Sequence, residues 1–453
     1  MKRIRVIGGG LAGPEAALQA ARLGCEVELY EMRPTRSTEA HQTADFAELV
    51  CSNSLKSESE NTAPWLLKQE MRRAGSVLLA EADATAVPAG HALAVDRVEF
   101  SRLVAERIAA EARIRVYREE VTRLNEDDPE MLTILATGPL TSPALTAELT
   151  RLTGSSHLAF YDSISPIVDA TTIDMSKVYF AARWGKGSAD YINCPFTKEE
   201  YERFVDALTV AEAVPAKDWE QISTGALHYF EGCLPIEETA RRGRETLRFG
   251  PMKPVGLDDP KTGKWPYAVV QLRQENLRAD SYNLVGFQNH LKFGEQARVL
   301  RMIPGLENAM FLRYGQIHRN TYINAPALLL ETLQLRDHPS IFIAGQLSGV
   351  EGYTESIASG MLAGRYAAAL AMGEAPVIAP RESANGSLTH YITHAESKRF
   401  QPANITFDLL PPLEEELRRR LRDKKERHRI QCERALAAWE KWLAASAVLE
   451  STT

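Results

Sequence analysis

Hydrophobic and polar positions change their period twice within the first 31 residues. Residues 4–7 form a short β-branched run of strand character, residues 14–23 are Ala-rich with a helical pattern closed by Gly24, and residues 25–31 read as a second strand. Between the first strand and the helix stands Gly8-Gly9-Gly10-Leu11-Ala12-Gly13, so the segment is a βαβ unit carrying GxGxxG on Gly8, Gly10 and Gly13. Glu31 follows the last glycine by 18 positions. In such a unit the first glycine allows the tight turn, the second lets backbone approach a pyrophosphate, and the third lets helix pack on strand. The helix N–H groups then face phosphates, and Glu31 is placed to accept from a ribose hydroxyl. A dinucleotide is expected here.

The pattern recurs more than 300 residues later. Residues 340–346 read as a buried strand ending in glycine, 347–354 as a loop, and 355–364 as the start of a small-residue helix. Residues 132–139 form a third apolar strand ending in Ala136-Thr137-Gly138. These elements, in this order, point to FAD. Gly8, Gly9, Gly10, Leu11, Ala12, Gly13 and Glu31 would hold the adenylate half, and Thr137, Gly138, Gly345, Gln346, Tyr353 and Thr354 the rest. The C-terminal return weighs against an NAD-only dehydrogenase and an S-adenosylmethionine enzyme.

Between these segments aromatics, turn residues and short strand-like pieces such as 178–184 and 267–272 become frequent. The expected fold class is α/β: a Rossmann-like FAD-binding domain over 1–156 and 327–410, an inserted α+β substrate or tRNA domain over 157–326, and a basic helical tail over 411–453. After Pro411-Pro412 a single charged helix is predicted to about residue 445, docking through Leu413, Leu417 and Leu421. Residues 418–429 hold eight Lys/Arg against two acids.

A net charge of −7 over 453 residues argues against wholesale nucleic-acid coating, though not against a local basic patch. Hydrophobic residues at 44% exclude a largely disordered chain. No apolar run approaches the roughly 18 residues needed to cross a bilayer, and the chain enters its first strand with no room for a signal peptide. A cytoplasmic protein with no membrane partner is expected.

The five cysteines, Cys25, Cys51, Cys194, Cys233 and Cys432, are odd in number and widely spaced, which fits neither a disulfide framework nor a zinc site. Lacking CxxC or CxxxxC, the chain cannot work as a flavin disulfide reductase. Cys25 and Cys432 read as structural thiols. Cys51 and Cys233 lie in polar loops containing serine or glycine and are the candidates for chemistry. His290 and Lys292 occupy another polar loop, and residues 313–324 mix planar donors with aromatics suited to an anion or a base. The histidines show no ligand spacing, so no metal is expected.

Four stretches together resemble a known family: GGGLAGPEAA at 8–17, VCSNSLKSE at 50–58, FEGCLPIEE at 230–238 and GQLSGVEGYTESIASG at 345–360. They are similar to the folate- and FAD-dependent tRNA (uracil-5-)-methyltransferases, small relatives of the GidA flavoproteins, from Ile4 to about Phe407. The resemblance implies transfer of a one-carbon unit from 5,10-methylenetetrahydrofolate to the T-loop uridine (position 54) of tRNA, with FAD reduced by NADH or NADPH. It assigns Cys233 as the thiolate that adds at uracil C6 and activates C5. Cys51, near the flavin, would remove the C5 proton or protect an intermediate. Substrate contacts are expected at His290, Lys292 and Tyr353 for folate, and at Arg418, Arg419 and Arg420, or at Arg241, Arg242 and Arg244, for the T-arm. No obligate protein partner is evident. The rivals are a GidA-type wobble-uridine modifier, expected to be longer, a small-substrate flavin oxidoreductase, and a non-catalytic RNA-binding flavoprotein.

Overall fold

The computed structural model describes residues 2–38, 40–124, 128–154, 158–185, 188–214, 234–421 and 423–446. The opening βαβ unit builds a five-stranded parallel sheet in the order Ile341–Ile343, Met131–Leu135, Arg3–Ile7, Val27–Tyr30, Ile114–Tyr117. Strand order reverses beside Arg3–Ile7, and at such a switch point the carboxyl ends of the strands leave a crevice for a ligand. Met131–Leu135 is buried along its whole length, as a central parallel strand must be.

Two helices cross closely beneath the crevice. Ala12–Arg22 packs on Tyr353–Ala371 because Gly360 and Gly364 let the two backbones meet. A Cβ at Gly360 would stand 2.3 Å from the Ala12 carbonyl oxygen, and one at Gly364 2.4 Å from that of Ala16. The small residues of 355–364 are therefore a packing device, joining segments far apart in sequence.

The chain leaves this body through Leu158–Ser163 and returns through Ile317–Tyr322, and these two strands pair antiparallel. Beyond the ribbon lies a six-stranded antiparallel sheet, ordered Tyr179–Ala181, Tyr191–Phe196, Ala268–Gln274, Ser281–Leu284, Ile167–Asp169, Phe311–Arg313. Helix Lys198–Val210 covers it with Tyr201, Phe204, Val205 and Leu208. The core of this lobe is drawn wholly from residues between Val168 and Ala309. The core of the parallel-sheet body takes residues from both sides of the insertion.

The tail departs from its expected form. In place of one helix there are two, Glu415–Arg420 and Lys424–Ser446. Leu413 is buried, but Leu417 and Leu421 are only half-buried. Cys432, Ala435, Trp439 and Trp442 of the second helix make the docking face instead. Trp439 Nε1 donates to the Glu70 carbonyl at 2.7 Å and Trp442 Nε1 to that of Val377 at 2.8 Å. Two buried indoles with satisfied N–H groups outweigh a row of leucines beside an arginine cluster. No helix among the described residues is long and apolar enough to cross a membrane.

Candidate functional site

The glycine loop leaves strand Arg3–Ile7 at the switch point and runs into helix Ala12–Arg22. Gly8 (φ 117°) lies against the Ala136 backbone, and Gly13 against the Gly8 carbonyl, where a Cβ would stand 1.8 Å away. A Cβ at Gly10 would meet nothing within 4 Å; it would project into the crevice. The loop is thus closed on its protein side and bare on the other, as close approach of a pyrophosphate to backbone requires.

Glu31 ends the second strand and turns back. Its Oε2 accepts from Gly9 N at 2.8 Å, and its Oε1 from Arg33 N and Nε, both at 2.9 Å. Burial pushes this carboxyl up, but the bonds and charge of Arg33 and the Gly9 N–H more than offset it, so Glu31 titrates below the usual carboxylate range. An ionised carboxylate has about four acceptor positions, so one on Oε2 is left for a ribose hydroxyl. Arg33, itself buried, also reaches Glu48 at 3.0 Å. Sequence reasoning passed over Arg33, though a cation two residues after the strand-end acid was its signal.

These residues line a cleft between the glycine loop and the ends of the central strands. Thr137 and Gly138, at the end of strand Met131–Leu135, form a second wall, and Gly345, Gln346, Tyr353 and Ser356 a third. Gln346 is braced by Glu351 at 2.6 Å, and Gly345 N by Ser359 Oγ at 2.8 Å. Leu11 and Ala12 also border the cleft, while Gly13 lies behind it as packing. Thr354, expected among the cofactor contacts, turns away: its hydroxyl is buried and donates to the Leu55 carbonyl at 3.1 Å. Helical geometry puts neighbours on different faces, so Tyr353 and Ser356, three apart, share the cleft side.

Cys51 follows Val50, which lines this cleft, but is not itself among the lining residues. The Tyr353 hydroxyl accepts from Cys51 N at 2.7 Å and from Ser52 N at 3.2 Å. Burial, and then the neighbouring Cys51, hold that phenol well above its ordinary value. The rest of the loop is anchored from all sides. Lys56 Nζ pairs with Glu355 at 2.7 Å and bonds Asn404 at 2.7 Å, while Lys68 Nζ reaches the carbonyls of Leu55 and Ser57, each at 2.8 Å. Asn53 is the seam: Nδ2 donates to Val95 O at 3.0 Å and to Gln274 O at 2.9 Å, and Arg273 Nε donates to its Oδ1 at 3.0 Å. The thiol loop therefore belongs to both bodies. Arg97, on the Leu49 carbonyl at 3.0 Å, and Arg313, on that of Ala40 at 3.1 Å, add cationic charge beside Tyr353 and Cys51. Arg97 had no local sequence signal.

The other described cysteines are buried thiols. Burial pushes Cys25 up to about 11 and Cys432 up to about 12, and Cys194 higher still. Such groups stay protonated and inert at neutral pH. Cys233 lies outside the described residues.

His290 and Lys292 do not line the cleft. His290 is buried, with Nδ1 2.6 Å from Glu237 Oε1, and Lys292 Nζ pairs with Glu212 at 2.6 Å in the open. Their loop bonds the chain on both sides of residues 215–233: Val214 N donates to His290 O and Ile236 N to Gln288 O, each at 2.9 Å. Arg418, Arg419 and Arg420 are exposed on the first tail helix, Arg419 paired with Glu415. Arg241 pairs with Glu238, and Arg244 with Asp206 at 2.7 Å.

Residues 3–375 match the family described as "Glucose inhibited division protein A". The "Methylenetetrahydrofolate--tRNA-(uracil-5-)-methyltransferase TrmFO" of Koribacter versatilis is 68% identical over 99% of this chain and 99% of its own. The protein of the same name from Enterococcus faecalis is 55% identical over 96% of this chain and 97% of its own. Among solved structures, Aquifex aeolicus GidA in its form II crystal superposes with a TM-score of 0.68 at 17% identity, covering 100% of this chain and 76% of that one. That last likeness is one of fold.

Proposed function

This chain belongs to the glucose inhibited division protein A family and, within it, to the methylenetetrahydrofolate--tRNA-(uracil-5-)-methyltransferases, and from that membership we propose that it moves a one-carbon unit from 5,10-methylenetetrahydrofolate to C5 of the T-loop uridine of tRNA. The cleft fits FAD, with the bare glycine loop and Glu31 at the adenylate end and Gly345, Gln346 and Tyr353 at the flavin end. FAD held there, reduced by NADH or NADPH, would supply the hydride that completes the methyl group.

The protein's own part is nucleophile, base and positioning. Cys233, as thiolate, forms a bond to uracil C6, which leaves C5 electron-rich and able to take the methylene carbon. Cys51, as thiolate, accepts the C5 proton while the bond between the methylene carbon and its donor nitrogen breaks and frees tetrahydrofolate; hydride addition to the exocyclic methylene then breaks the C6–S bond and returns the Cys233 thiolate. The observation that carries the reading is the pair of bonds from Cys51 N and Ser52 N to the Tyr353 hydroxyl. Through them a residue of the cofactor cleft fixes the height of the thiol loop, at a seam where the antiparallel lobe can bring a splayed-out base. The phosphates of the RNA would meet Arg418, Arg419 and Arg420 on the tail or Arg241, Arg242 and Arg244 on the antiparallel lobe.

The test is incubation with unmodified tRNA transcript, NADPH and 5,10-methylenetetrahydrofolate labelled in its methylene carbon. Label at C5 of the T-loop uridine, absent with Cys233→Ala, is the expected result. A yellow protein that leaves the RNA unlabelled would overturn it and favour a small-substrate flavin oxidoreductase.

A further inference from the structure

Away from the cleft, three metal-ligating side chains converge. His390 and His394 lie on helix Ala384–His394, four residues apart and so on one face. Glu331 comes from the turn that follows helix Ala325–Leu328. One donor atom from each residue lies within 4.8 Å of the others.

The detail is finer than proximity. Glu331 Oε1 stands 3.0 Å from His390 Nδ1 and 3.7 Å from His394 Nδ1. The two imidazole rings stack, with centroids 4.2 Å apart and planes at 14°. A tetrahedral zinc ion with bonds of about 2.0–2.1 Å has ligand atoms about 3.3 Å apart, between those two separations. An ordinary His–Glu ion pair accounts for His390 alone. The second imidazole stacks on the first and nears the same carboxylate oxygen; its Nδ1 also stands 2.9 Å from Thr393 Oγ1 and 3.3 Å from the His390 carbonyl, contacts that an ion would displace or leave in place by taking the other ring nitrogen. Paired histidines at this helical spacing are a recurrent zinc-binding device.

We infer that Glu331, His390 and His394 form a binding site for a divalent zinc-type cation, with water completing the shell. Two imidazoles and one carboxylate select zinc over magnesium or calcium, which take all-oxygen shells. All three residues are partly exposed, so the site is open to ions from solvent. Arg381, which lies within reach of the charge of Glu331, donates instead to Ser387 Oγ at 2.7 Å. The ion clamps the end of helix Ala384–His394 to the 329–335 turn, which is otherwise closed by the Leu329–Leu335 bridge. No metal was expected from the sequence because the histidines were read as lacking ligand spacing; the four-residue interval of His390 and His394 was passed over, and Glu331 stands 59 residues before His390.

The test titrates Zn2+ into chelator-treated, full-length protein, with bound zinc and melting temperature as readouts. Wild type should bind one equivalent more than His390→Ala/His394→Ala and melt several degrees higher with Zn2+, while that double variant shows no zinc-dependent shift. Glu331→Gln, a milder change, should weaken zinc binding tenfold or more. Because thiols also take zinc, X-ray absorption of the 1:1 complex in Cys51→Ser protein should show a nitrogen and oxygen shell free of sulfur. Equal zinc stoichiometry in wild type and Glu331→Gln with an unchanged melting shift, or a sulfur-dominated shell, would overturn the assignment.

Discussion

A single hydroxyl does the most at the residue scale. Tyr353 accepts two backbone N–H groups from the Cys51 loop, and phenylalanine would leave both without that acceptor. An unsatisfied buried donor costs about 1–3 kcal/mol, so Tyr353→Phe should slow methyl transfer about tenfold or more as the loop shifts. Its flavin content, read from visible absorbance, should stay near wild type, and a parallel loss of flavin would place the role of Tyr353 in cofactor binding instead. Glu31→Gln is the contrasting change. It removes the charge opposite Arg33 and the Gly9 N–H, and the purified protein should retain less flavin, shown as a lower ratio of flavin to protein absorbance. The glycines and Glu31 were legible because their chemistry is local, within one βαβ unit. The contacts of Tyr353 were not, since its partner is 302 residues away.

Among the elements, the crossing of Ala12–Arg22 with Tyr353–Ala371 leaves no room for a methyl group. Gly360→Ala or Gly364→Ala should each cost about 1–3 kcal/mol, measured as a lower urea midpoint with an unchanged slope. The start of helix Ala384–His394 carries a pH signature. Glu70 accepts from Ala384 N at 2.7 Å and Asn385 N at 2.9 Å, yet burial outweighs these bonds and pushes its carboxyl up to about 7. The folded state therefore holds a proton that the unfolded chain releases near the ordinary value of 4.5. Stability from this group is complete below that value and is lost as pH rises through about 7. Between pH 5 and 8 the wild type should lose up to about 3 kcal/mol relative to Glu70→Gln, seen in paired denaturant titrations. Helix existence was readable from periodicity. The break in the tail was not, because its leucine spacing is sound in isolation and the competing indole face finds its partners on Glu70 and Val377.

For the whole molecule, charge and architecture must act together on a large substrate. Reversing Arg418, Arg419 and Arg420 to Glu should weaken tRNA binding, flatten its salt dependence by about one unit of slope for each phosphate no longer neutralised, and leave flavin bound. Unchanged affinity at moderate salt would move the RNA to the Arg241–Arg244 side. The alternation of parallel-sheet motifs with an antiparallel stretch could be read along the chain. How the two bodies meet could not, since Asn53, Gln274 and Arg273 are joined only by the fold. The paired ribbon through which the chain leaves and re-enters has a consequence for synthesis. Everything in the lobe core lies between residues 168 and 309, so it can assemble as soon as that stretch clears the ribosome. The parallel sheet, begun at residue 3, waits for Ile341–Ile343 and for the helix that seats Gly360 and Gly364. The part of the protein made first is finished last, and until then its half-built dinucleotide crevice leaves apolar surface uncovered while the inserted lobe has all of its core residues in hand.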